Sequence, residues 1–102
     1  MTKFNKLVRD KIPDIARGKG QTPVTHIADD AEYKERLIAK LDEEVAEFKE
    51  ALATEELADV LEVVHGFCSQ KGISFEELEV IRKKKADERG GFAGRIVLDE
   101  VN

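Results

Sequence analysis

The stretch Leu41-Asp42-Glu43-Glu44-Val45-Ala46-Glu47-Phe48-Lys49-Glu50, continued by Ala51-Leu52-Ala53-Thr54-Glu55-Glu56-Leu57-Ala58-Asp59, decides the fold. Its first half belongs to a pattern in which Leu37, Ile38, Leu41, Val45, Phe48 and Leu52 recur at i, i+3 and i+4. That spacing predicts one amphipathic helix from Ala31 to about Leu52. Ala53-Thr54 predicts a tight connection, with Thr54 offering a hydroxyl as N-cap. A second helix is expected from Glu55 to about Lys71, ending at Gly72, where a glycine suits the left-handed position past a helix end. Two long helices joined so closely must fold back as an antiparallel hairpin.

Working outward, Asp29 or Asp30 can cap the first long helix, and Glu32 stands at capping-box spacing from Asp29. Ser74 and Glu77 form another such pair and predict a third helix running to about Arg89, stopped by Gly90-Gly91. Within the basic, partly apolar lead-in Met1–Ala16, Pro13 suits a first helical turn, so a short helix over Pro13–Arg17 is expected before Gly18-Lys19-Gly20. Residues 24–27 and 95–98 are rich in β-branched side chains and are read as a short two-stranded β ribbon lying against the helices. The fold class is therefore all-α, mostly helical, in a single domain over 1–102.

Composition narrows the classes of function. The 102 residues are 41% hydrophobic and 38% charged, too apolar for disorder and too charged for a membrane protein. No run approaches the roughly 18 apolar residues of a spanning helix. No apolar stretch follows the first residues, so no secretory signal is expected. The lone Cys68 cannot form an internal disulfide and points to a reducing, cytoplasmic setting. A net charge of -5 argues against nucleic-acid binding but leaves room for an anionic small molecule held through a metal.

The acids are concentrated where that metal would need them. At about 100° per residue from Leu41, Glu44 falls near 300°, at the edge of the apolar stripe, with Glu47 near 240°. From Leu57, the apolar arc of Val60, Leu61, Val63, Val64, Phe67 and Cys68 runs from about 240° to 40°. Glu56 lands inside it near 260°, and Asp59 at its border near 200°. A carboxylate in an apolar arc is costly unless paired or bound to a cation. A hairpin centred near Ala53 sets Glu47 level with Asp59 and Glu50 level with Glu56. Glu44, Glu47, Glu56 and Asp59 can thus converge, an oxygen-only set suited to Mg2+, with Mn2+ as substitute.

With those residues in place, the chain resembles a known family. Glu43-Glu44-Val45-Ala46-Glu47 followed by Glu56-Leu57-Ala58-Asp59 is similar to the EExxE…ExxD pattern of the MazG-like all-α NTP pyrophosphatases, which include phosphoribosyl-ATP pyrophosphohydrolase. Lys6-Leu7-Val8-Arg9-Asp10-Lys11-Ile12-Pro13 and Arg89-Gly90-Gly91-Phe92 resemble the flanks of a small house-cleaning branch of that superfamily. The connection between Glu47 and Glu56 is shorter than in many MazG-like proteins, which bears on the base accepted more than on the metal. The resemblance implies metal-dependent hydrolysis of a nucleoside triphosphate between the α and β phosphates, releasing pyrophosphate. It implies Glu44, Glu47, Glu56 and Asp59 as metal ligands, with Glu44 or Glu47 orienting the water.

Two further groups of charge are candidates for phosphate binding: Lys85 and Arg89 near the end of the third helix, and Lys6 and Arg9 near the N-terminus. The lysines and arginine of the third helix also suit a helix C-terminus without any ligand. Cys68, three residues after His65, lies in the apolar arc and is read as core. The arc of the second helix, roughly 160°, exceeds what one core requires. A three-helix monomer would leave Val60, Val63 and Phe67 partly uncovered, so a homodimer or homotetramer built as a four-helix bundle is expected. The resemblance implies such an assembly too. The alternative function is a non-catalytic helical module that binds metal or nucleotide, or that serves as an interaction surface.

Overall fold

A computed structural model describes residues 4–102, so the first three residues of the lead-in lie outside the described part. Four helices follow one another: α1 (Ile12–Gly18), α2 (Asp30–Ala51), α3 (Thr54–Lys71) and α4 (Phe75–Arg89). The caps are those the side chains dictate. Asp29 accepts a hydrogen bond from the Glu32 backbone N–H at 2.8 Å, and Ser74 accepts from the Glu77 N–H at 3.0 Å. Gly72 ends α3 at φ 72°, a left-handed position that costs glycine nothing.

The hairpin turn is tighter than its chemistry favours. Thr54 is already helical, so Ala53 takes the cap position with extended backbone and no side-chain acceptor. Leu52 closes α2 in the left-handed conformation, φ 52°, with its N–H bonded to the Phe48 carbonyl at 2.7 Å. The turn therefore pairs α2 and α3 at the expense of one strained leucine.

That pairing is the main packing of the chain. Leu37 of α2 and Val63 and Cys68 of α3 are the buried apolar residues, and Cys68 is the core thiol expected. Gly66 permits the approach, because a Cβ there would come within 2.8 Å of the Leu37 Cδ2. α4 packs only on α3, with His65 stacked on Phe75 at 4.1 Å between ring centres.

Two expectations need correction. The ribbon does not form: no strand occurs among the described residues, and Val24 (95%), Ile27 (95%) and Ile96 (89%) are almost fully exposed. Neither segment is laid against a helix, and an isolated pair of short strands has nothing to bury. On α3 the exposed apolar residues are Leu57 and Leu61, Val60 and Phe67 are half-buried, and Val63 is buried. The radius of gyration, 17.9 Å, exceeds the roughly 13 Å of a compact chain this long. No helix among the described residues is long and apolar enough to cross a membrane.

Candidate metal centre

The hairpin register brings carboxylates from both long helices to one point. Glu44 on α2 and Glu56 and Asp59 on α3 each offer an oxygen within 4.8 Å of the other two. Glu44 is only 7% exposed, and its Oε2 is buried without a partner, as is the Oε2 of Glu56. An ionised oxygen left so is expensive, and a cation is the group that would satisfy both at once. Oxygen-only donors of this type fit a hard divalent ion.

Glu47 lies beside this set rather than within it. It is exposed on α2, one turn after Glu44. The neighbouring Glu44 carboxyl, reinforced by the charges of Glu56 and Glu43, holds the Glu47 carboxyl above its ordinary pKa. Glu50 is exposed further along the helix.

The cations at the cluster come mainly from the N-terminal segment. The Arg9 guanidinium donates to Asp59 Oδ1 at 2.7 Å, and Lys6 Nζ lies 2.9 Å from Glu43 Oε1. Lys40, which sequence reasoning passed over, stands 3.4 Å from Glu44 Oε1 and 3.5 Å from Glu43 Oε2. Its signal was the i, i+4 spacing to Glu44. Lys6 holds the Glu43 carboxyl below its ordinary pKa, chiefly by donating a hydrogen bond. The segment is fastened further up by Arg36, which donates to the Asn5 carbonyl and, at 3.0 Å, to its Oδ1. His26 Nε2 lies 2.9 Å from Glu32 Oε1.

Lys85 and Arg89 are not brought to this place. Both are exposed on α4, and Arg89 lines a separate surface groove with Phe92 and Arg95. A cavity of about 660 Å³ adjoins the cluster instead. Its lining mixes charged side chains, among them Arg9, Lys40, Glu44, Asp59 and Glu62, with apolar ones such as Leu7, Ile12 and Val63.

Comparison with known proteins identifies the family. A protein of Mycolicibacterium smegmatis (strain ATCC 700084 / mc(2)155), described only as uncharacterized, is 54% identical over 46 residues. The match spans 45% of this chain and 47% of that protein, about half the length of each. No solved structure matches. The family model for phosphoribosyl-ATP pyrophosphohydrolase matches residues 2–85, which include the whole hairpin, all four carboxylates and most of α4. The chain belongs to this family, within the MazG-like all-α NTP pyrophosphatase superfamily.

Proposed function

We propose that this protein is a divalent-metal-dependent pyrophosphohydrolase that splits a nucleoside triphosphate between its α and β phosphates, giving a nucleoside monophosphate and pyrophosphate. One observation carries the reading: Glu44, Glu56 and Asp59 bring carboxylate oxygens within 4.8 Å of one another, and Glu44 and Glu56 each keep a buried oxygen without a partner. Glu44, Glu56 and Asp59 would hold the ion, with Glu47 at its margin. When bound, Mg2+, or Mn2+ in its place, supplies charge neutralisation at the phosphate oxygens and a more acidic water.

The chain's own residues do the rest. Glu44 or Glu47 orients the attacking water, and no protein nucleophile is needed. Lys6 and Arg9 are the cations best placed to meet the phosphates, since both already sit at the acidic cluster. Lys85 and Arg89, apart from the cluster in one chain, would act on the same substrate only if a second copy presents them. The cavity beside Tyr33 would take the nucleoside. A house-cleaning role, removing nucleotides that should not accumulate, follows the resemblance of the flanking segments.

A homodimer or homotetramer goes with this reading. It is supported by the extended shape and by exposed Leu57, Leu61, Val80 and Ile81 on α3 and α4. Sedimentation giving a compact monomer at micromolar concentration would count against it. The buried thiol of Cys68 is consistent with a cytoplasmic setting.

A panel of NTPs and dNTPs with Mg2+, followed by product analysis, tests the activity. Pyrophosphate and a monophosphate are expected. Inorganic phosphate with a diphosphate, or turnover that survives Glu47→Gln or Asp59→Asn, would overturn the proposal. Tight nucleotide binding without hydrolysis under any divalent metal would favour a regulatory binding module.

A further inference from the structure

We propose that Arg9 is an exchanging cation, which neutralises Asp59 while the carboxylate cluster holds no metal and passes to the phosphate oxygens of the substrate once a divalent ion takes its place. The inference rests on the reading of Glu44, Glu56 and Asp59 as a divalent-cation site.

Charge balance is the first reason. Five carboxylates, those of Glu43, Glu44, Glu47, Glu56 and Asp59, gather around three cations, Lys6, Arg9 and Lys40. The formal deficit is the charge of one divalent ion. Once that ion binds, the guanidinium at 2.7 Å from Asp59 becomes surplus, and two cations on one carboxylate repel each other. A triphosphate then offers the guanidinium better partners, because its planar fork matches phosphate oxygens in pairs.

Geometry is the second reason. The Arg9–Asp59 pair is solvent-accessible, with side-chain exposures of 56% and 38%, so its partners can change without opening a core. Residues 5–11 form no helix, yet Arg36 holds the chain at Asn5, and α1 starts at Ile12. Leu7 and Val8 are half-buried in the cavity wall, which keeps the backbone in place beneath Arg9. Arg9 also lines the cavity beside Glu44 and Asp59, where a phosphate bound to the metal would lie. Only a side chain has to move.

The test is Mn2+ binding to the full chain, measured by calorimetry without nucleotide. Arg9→Gln should tighten Mn2+ binding by roughly two- to fivefold, the range an exposed ion pair represents. Arg9→Lys, which keeps the charge, should return it close to wild type. Lys84→Gln, an equal change of net charge on α4, should leave it unaltered. With saturating Mg2+, tripolyphosphate should bind Arg9→Gln about fivefold more weakly or worse. Unchanged or weaker Mn2+ binding in Arg9→Gln overturns the exchange, as does unchanged tripolyphosphate binding. A wild-type chain that binds no Mn2+ removes the metal-site reading, and the exchange falls with it. Wild-type binding with an indifferent Arg9→Gln removes the exchange alone.

Discussion

Glu47 follows Glu44 by one helical turn, and the Glu44 carboxyl beside it holds the Glu47 pKa above its ordinary value of 4.5. The folded chain therefore binds that proton more tightly than the unfolded chain. The stabilisation is fully present below the unfolded value and is lost as pH rises through the raised one. Metal-free protein at neutral pH carries this repulsion in full. Glu47→Gln should raise the stability of the metal-free protein at pH 7 and remove its part of the slope. Urea melts in EDTA at pH 4 and pH 7, compared between the two proteins, isolate the effect from Glu32, Glu43 and Glu79, whose lowered pKa values slope the other way. The same variant should lose about 10- to 100-fold in activity, as removal of a metal-supporting group does.

Divalent metal should stabilise the fold through Glu44, Glu56 and Asp59. At a concentration 100 times its Kd, an ion specific to the folded state adds about 2.7 kcal/mol. For a domain of this size that is a rise in Tm of about 10 °C or more. Thermal melts with Mg2+ and with EDTA measure it. Glu56→Gln and Asp59→Asn should each abolish most of the shift. Glu56→Gln should leave the metal-free protein no less stable, because it removes one of the crowded charges, whereas Asp59→Asn also gives up the ion pair with Arg9.

Gly66 lets α2 and α3 approach, and Leu37 fills the space a side chain would need. Alanine there sets better helix propensity against a clash with the tip of one leucine, whereas valine adds bulk that Leu37 cannot yield. Gly66→Val should cost about 2 kcal/mol, as overpacking in a buried contact does, with the midpoint of a urea melt as the measure.

Leu52 holds a left-handed backbone at φ 52° while its side chain is 72% exposed, so it carries strain without contributing much burial. Leu52→Gly should relieve about 1 kcal/mol of that strain. An increase in the urea midpoint with unchanged activity is the expected result.

The helices were legible because local rules govern them. The i, i+3, i+4 pattern located α2 and α3, and capping chemistry located to within a residue the start of α2 at Asp29, the end of α3 at Gly72 and the start of α4 at Ser74. Thr54 was misplaced as a cap because the demand of hairpin closure outweighed the cap's hydrogen bond. The ribbon was misread for a similar reason. Val24 and Ile96 carry strand propensity, but propensity without a partner surface forms nothing.

Helical phase alone, computed from the order of residues, put Glu56 within an apolar arc and Glu44 at the edge of another, and so marked the acids that would converge. What phase could not supply was the register and spacing between helices. Those depend on the glycine contact at Gly66 and the left-handed turn at Leu52, and they place Glu44, Glu56 and Asp59 together while leaving Glu47 at the margin. Nor could order along the chain reveal that Arg9 would lie against Asp59, fifty residues away, while Lys85 and Arg89 would not reach the cluster. Covalent sequence dictates periodicity and caps because these act within one or two turns. Which charges meet across the molecule is decided by packing, since an ion pair forms only where the backbone has already brought its partners.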